Sequence, residues 1–168
     1  MRILVVGAGG VGNAIAKIAA RRSFFDLLVV SDFDLARAES AVAWIADRHG
    51  AEVASRFAAA RIDASDPDSV AALARQHGVT HVMNAVEPKF VPTVFAGALA
   101  AGADYLDMAM SLSEPHHTYP HTETGVKLGD DQFAQAPDWE TAGRLALVGM
   151  GVEPGLSDVF AQIGRAHV

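Results

Sequence analysis

Ile3-Leu4-Val5-Val6-Gly7-Ala8-Gly9-Gly10-Val11-Gly12 is the stretch on which the reading of this chain turns. Four apolar residues, three of them β-branched, have the length of a buried strand. They run straight into a G-x-G-x-x-G turn, and the turn opens a segment of helical periodicity. In that context each glycine serves a separate purpose. Gly7 permits the tight turn, Gly9 lets backbone approach a pyrophosphate, and Gly12 lets the helix lie close on the strand. The helix N-terminus adds unpaired N–H groups and a positive dipole end, so Gly7, Gly9, Gly10, Val11 and Gly12 are the expected phosphate-binding residues.

Outward from this turn, short β-branched runs alternate with longer Ala-rich stretches, the pattern of a parallel sheet covered by helices on both faces. Strands are expected over 2–6, 27–31, 56–62, 81–85, 105–108 and 145–149. The first helix is expected over 10–22, with Val11, Ile15 and Ile18 on its inward face. A second spans 35–48 and stops before Gly50. A third follows the cap Ser65-Asp66 with Pro67 at its first position, and a fourth spans 92–101. Right-handed crossovers then give a Rossmann-type doubly wound α/β fold of strand order 3-2-1-4-5-6. Residues 111–139 break the rhythm: Pro115, Pro120 and Pro137 interrupt them, and His116, His117 and His121 cluster there. A further helix begins at Leu156.

Asp32 stands about 20 residues past Gly12, where the motif expects a carboxylate on the adenosine ribose. Such a carboxylate accepts from both ribose hydroxyls and repels an added phosphate, so NAD is expected over NADP. Arg37, five positions on, is the residue able to reach a 2′-phosphate; an ion pair with Asp34 is its alternative use. Asp63, beyond the third strand, either meets the adenine edge or caps the following turn. Asn84 and Ala85 end the fourth strand beside the point where strand order reverses, the crevice in which open α/β sheets hold ligands.

Composition excludes other classes. Hydrophobic residues are 51% and charged residues 20% of the 168, as in a packed domain, and the formal charge of −7 argues against nucleic acid or anionic lipid as partner. With no cysteine there is no thiolate metal site or disulfide framework. The four apolar residues at the start are too few for a signal core or a membrane span, so a cytoplasmic location is expected.

These motifs, together with Ser31-Asp32-Phe33-Asp34, Asn84-Ala85-Val86-Glu87-Pro88, Ala101-Gly102-Ala103-Asp104-Tyr105-Leu106-Asp107 and Gly151-Val152-Glu153-Pro154-Gly155-Leu156-Ser157-Asp158, resemble the saccharopine dehydrogenase family. The resemblance implies an NAD(P)-dependent oxidoreductase acting on the CH–NH group of an amino acid such as saccharopine or lysine. It also implies a longer chain, homodimeric through an α+β substrate domain. On that reading residues 1–155 form the cofactor domain and 156–168 open a truncated substrate domain. Ile163-Gly164-Arg165-Ala166-His167-Val168 matches one frame of a sequencing-library adapter, which reads as run-through at a cut gene end. Segment 113–121 is longer and richer in histidine than the corresponding family loop. Hydride transfer belongs to the cofactor, leaving the protein to orient groups and pass a proton. Glu153 and His116, followed by His117 and His121, are the titratable candidates at the crevice rim. No metal is expected, since Pro115 and Pro120 bracket the histidines. A cofactor-sensing module without turnover is the alternative class.

Overall fold

The computed structural model describes residues 1–165; of the adapter reading at 163–168, positions 166–168 lie outside the described residues. In chain order the elements are β1 (Arg2–Val6), α1 (Gly10–Ala19), β2 (Leu27–Asp32), α2 (Leu35–Ala54), β3 (Phe57–Arg61), α3 (Pro67–Gln76), β4 (His81–Asn84), α4 (Val91–Ala101), β5 (Asp104–Asp107), α5 (Asp130–Ala134), α6 (Ala136–Thr141), β6 (Ala146–Leu147) and α7 (Leu156–Arg165). The strands form one parallel sheet of order β3-β2-β1-β4-β5-β6, the expected doubly wound topology.

Alternation along β1 divides the core in two. Ile3 and Val5 point to the face under α1 and α2, where they meet Ala16, Ala38, Ala41 and Ile45. Leu4 and Val6 point to the opposite face and join Val70, Val94, Phe95 and Tyr105. Period-two side-chain geometry thus lets one strand supply both layers. The order reverses between β1 and β4, which opens a crevice at the carboxyl ends of the strands.

Three expectations need correction. The inward face of α1 is Gly12, Ala16 and Ala19, while Val11 and Ile18 are 49% and 59% exposed. The helix lies close to the sheet, so small residues fill most of the space between them, while Ile15, as expected, packs half-buried against the same core. α2 does break where expected: Gly50 leaves helical geometry at φ 83, ψ 167, and a second short helical stretch follows as far as Ala54. Segment 111–139 is less irregular than its prolines suggest. Glu114 N donates to Val126 O at 2.9 Å and Gly129 N to Ser111 O at 3.0 Å, closing a loop whose base runs into α5 and α6. β6 keeps only two residues; Leu147 within it and Leu145 just before it remain 40% and 57% exposed. No helix among the described residues is long and apolar enough to cross a membrane.

Candidate functional site

The glycine turn is built by contacts that exclude side chains. Gly7 takes φ +102, and a Cβ there would stand 2.7 Å from Val86 Cγ1 and 2.9 Å from Ala85 O. A Cβ on Gly12 would fall onto the carbonyl of Gly7. Gly9 and Gly10 differ, because a Cβ on either meets no atom within 4 Å. The protein itself does not require glycine at these two positions; what their lack of a side chain preserves is open space before the first turn of α1. Gly9 caps that helix without a side-chain hydrogen bond, leaving first-turn N–H groups for a ligand. The residues therefore fit a bound pyrophosphate.

A cleft of about 690 Å³ runs along the strand ends from this turn, and its walls include Gly7, Gly9, Asp32, Arg37, Asp63 and Ala85. Six of the expected cofactor residues are thus brought together. Val11 sits on the exposed side of α1, and Gly10, Gly12 and Asn84 lie outside the cleft wall.

Asp32 is held from both sides: Oδ2 accepts from Ala8 N at 2.8 Å and Oδ1 from Asp34 N at 3.0 Å. A carboxylate has about four acceptor positions, so two remain for a ligand. The bond to Ala8 also ties β2 to the glycine turn. Arg37 Nε lies 3.9 Å from Asp34 Oδ2 with both side chains largely exposed, a weak pair that leaves the guanidinium available to the cleft and to the neighbouring groove it shares with Ser40. Asp63 accepts at Oδ1 from Ser65 Oγ at 2.6 Å and from Ser65 N at 2.9 Å, the turn-capping use. The Ser65 hydroxyl, followed by the backbone bond, holds its carboxyl below the usual range. Asn84 is 3% exposed and turns inward, where Nδ2 donates to Tyr105 Oη at 3.0 Å and Oδ1 accepts from Val86 N at 3.2 Å.

Neither catalytic candidate reaches this cleft. Glu153 is exposed, and His116 Nδ1 accepts from Tyr119 N at 3.1 Å within its own loop. Among the described residues no three His, Asp or Glu side chains converge as a metal set.

Sequence reasoning missed two features. Exposed Phe33 forms the outer wall of the cleft with the Arg61 guanidinium over its ring at 4.6 Å. Farther along, Asp107 is 1% exposed and receives four hydrogen bonds, from Met110 N, Gly149 N, Tyr105 Oη and Gln132 Nε2. Burial, and then the Asp107 charge, push the Tyr105 phenol well above its usual range. The one available signal was Tyr105 and Asp107 two apart, on one side of a strand.

Residues 3–147 match the family described as the saccharopine dehydrogenase NADP-binding domain. The carboxyaminopropylagmatine dehydrogenase of Synechocystis is 28% identical over 99% of this chain and 38% of its own length. For the carboxynorspermidine synthase of Vibrio alginolyticus the figures are 27%, 100% and 40%. This chain therefore spans about two fifths of the curated relatives it matches. A solved saccharopine dehydrogenase (L-Glu forming) of Saccharomyces cerevisiae superposes with a TM-score of 0.68 at 18% identity, covering 99% of this chain and 31% of that one, which shows a shared fold.

Proposed function

The chain belongs to the saccharopine dehydrogenase family, and from that premise we propose that it holds the cofactor of an oxidoreductase acting on the CH–NH group of an amino acid. The single observation that carries this reading is the open volume kept before α1 by Gly9 and Gly10, next to the anchored carboxylate of Asp32. When bound, the nicotinamide supplies a hydride acceptor or donor. The backbone amides at Gly9 and Gly10 hold the pyrophosphate, and Ala85 closes the wall opposite. The two free acceptor positions of Asp32 take the ribose hydroxyls, and its charge favours NAD; Arg37 is the counter-element that would admit NADP. Asp63, already engaged by Ser65, contributes at the adenine end through its remaining oxygen.

Saccharopine and lysine are the first substrates to examine, and the names of the relatives add carboxylated polyamine-like amines. Residues 1–155 make the cofactor domain on this reading and 156–168 begin a substrate domain. The longer protein is then a cytoplasmic homodimer, and Glu153 or His116 relays the proton only when that domain closes over the crevice.

Calorimetric titration with NADH and NADPH tests the cradle. Gly9→Val has room to fold, so the expected result is an unchanged melting temperature with affinity reduced at least tenfold, about 1.4 kcal/mol. Undiminished affinity would overturn the assignment. An amine-oxidation assay tests the division of labour, since turnover by these 168 residues alone would show a complete site and sink the two-domain reading.

A further inference from the structure

We propose that Asp107 is a positioning residue for the nicotinamide end of the bound dinucleotide, gathering the backbone beyond β5 and β6 into the rim on which that end rests. This rests on the cradle reading above. With the pyrophosphate over β1, the adenosine half of the ligand crosses β2 toward β3, two strand spacings of about 4.8 Å. The other half is of similar length and crosses β4 toward β5, because the order continues β1-β4-β5. Asp107 ends β5, in register with Asn84 of β4.

The bonds around Asp107 go to the places a rim must be held. Oδ1 accepts from Met110 N at 3.1 Å and from Gly149 N at 2.8 Å, main-chain groups beyond the ends of two strands. Oδ2 accepts from Tyr105 Oη at 3.0 Å and from Gln132 Nε2 at 2.7 Å. Gln132 Oε1 in turn accepts from Ser111 N at 2.8 Å. Met110 is held at φ 63, a conformation residues other than glycine rarely adopt, and its side chain packs where Cβ atoms on Gly129 and Gly149 would otherwise go. On the other flank, Tyr105 connects through Asn84 to Val86 N, in the wall of the cleft. β6 has two residues and cannot fix Gly149 by its own ladder; the side chain of Asp107, and its carbonyl accepting from Met150 N at 2.8 Å, do so instead. Four donors converge on the Asp107 carboxylate, and only a group that accepts without donating satisfies all four.

The test separates the two halves of the ligand. Whichever of NADH and NADPH binds more tightly is titrated beside the matching ADP-ribose or 2′-phospho-ADP-ribose, which lacks the nicotinamide. In Asp107→Asn the new amide cannot accept from Gln132 or Tyr105. The expected result is at least a tenfold loss of affinity for the dinucleotide and less than twofold for the ADP-ribose. Adding Gln132→Glu returns an acceptor that takes both the amide introduced at position 107 and Ser111 N, and dinucleotide affinity should recover to within about threefold of the starting protein. A merely structural role would weaken both ligands together. Gln132→Met, close in volume and still able to fill the core, covers the case in which Asp107→Asn does not fold. It should cost the dinucleotide about fivefold and leave the ADP-ribose unmoved. Equal effects on both ligands, or none on either, would overturn this inference alone. Failure of the unaltered chain to bind ADP-ribose would overturn the cradle reading and this inference with it.

Discussion

The halves of the sheet on either side of the β1–β4 crevice treat their polar groups in opposite ways. At the ends of β1, β2 and β3 they lie near the surface and are mostly main chain: glycine amides, with Asp32 anchored by two backbone N–H groups and Asp63 by Ser65. At the ends of β4, β5 and β6 they are mostly side chains withdrawn from water, with Asn84, Asp107 and Gln132 each no more than 3% exposed. One half borders an open cleft; the other holds loops in place from behind. A backbone cradle can be encoded by glycine spacing over a few residues. A buried polar cluster needs partners from distant parts of the chain, since a buried donor or acceptor without one costs about 1–3 kcal/mol.

The comparison breaks first, and hardest, at Gly12. Valine there must displace the Gly7 carbonyl, so the expected loss of stability is about 3 kcal/mol or more, read by denaturant unfolding. A well-folded Gly12→Val protein would mean that the cradle does not depend on close helix packing. A smaller effect, expected in binding more than in folding, belongs to Asp32→Ala. Removing the carboxylate should move the ratio of NAD to NADP dissociation constants about tenfold toward NADP, roughly 1.4 kcal/mol. An unmoved ratio would shift attention to Arg37. A further effect sharpens the contrast from the buried side. Tyr105→Phe should cost about 1.5–3 kcal/mol at neutral pH, because it removes a bond to a carboxylate and leaves Asn84 Nδ2 without its acceptor. The phenol is held neutral in the folded protein while the unfolded chain releases its proton above about pH 10. Its contribution is therefore present in full below that value and lost as pH rises beyond it, so the two proteins should converge in stability under alkaline conditions. Parallel pH profiles would contradict the burial of the phenol.

How far each half could be read in advance follows from the same contrast. Strand order, the glycine turn and the position of Asp32 were legible because local spacing carries them. The face of α1 was legible at Ile15, which packs against the core, and misread at Val11 and Ile18, because a helix this close to its sheet buries Gly12, Ala16 and Ala19 instead. α5 and α6, of five and six residues, are too short to show a helical period, yet they deliver Gln132 and Trp139 to the interior. Asn84 was legible as the end of a strand and illegible as a donor to Tyr105, because that partner is 21 residues away. Asp107 is 25 residues from Gln132 and 42 from Gly149, and no local pattern marks such a meeting.

The brevity of β6 bears on self-association. An edge strand offers its unpaired N–H and C=O groups to any passing chain, and proteins limit that hazard by keeping such strands short. Among the described residues β6 is one margin of the sheet, and two residues give an incoming strand little to pair with. Exposed Leu147 in that strand and Leu145 just before it make any stickiness there of the greasy, unregistered kind that loose contacts relieve. Growth into an ordered cross-strand ladder therefore lacks a template at this edge.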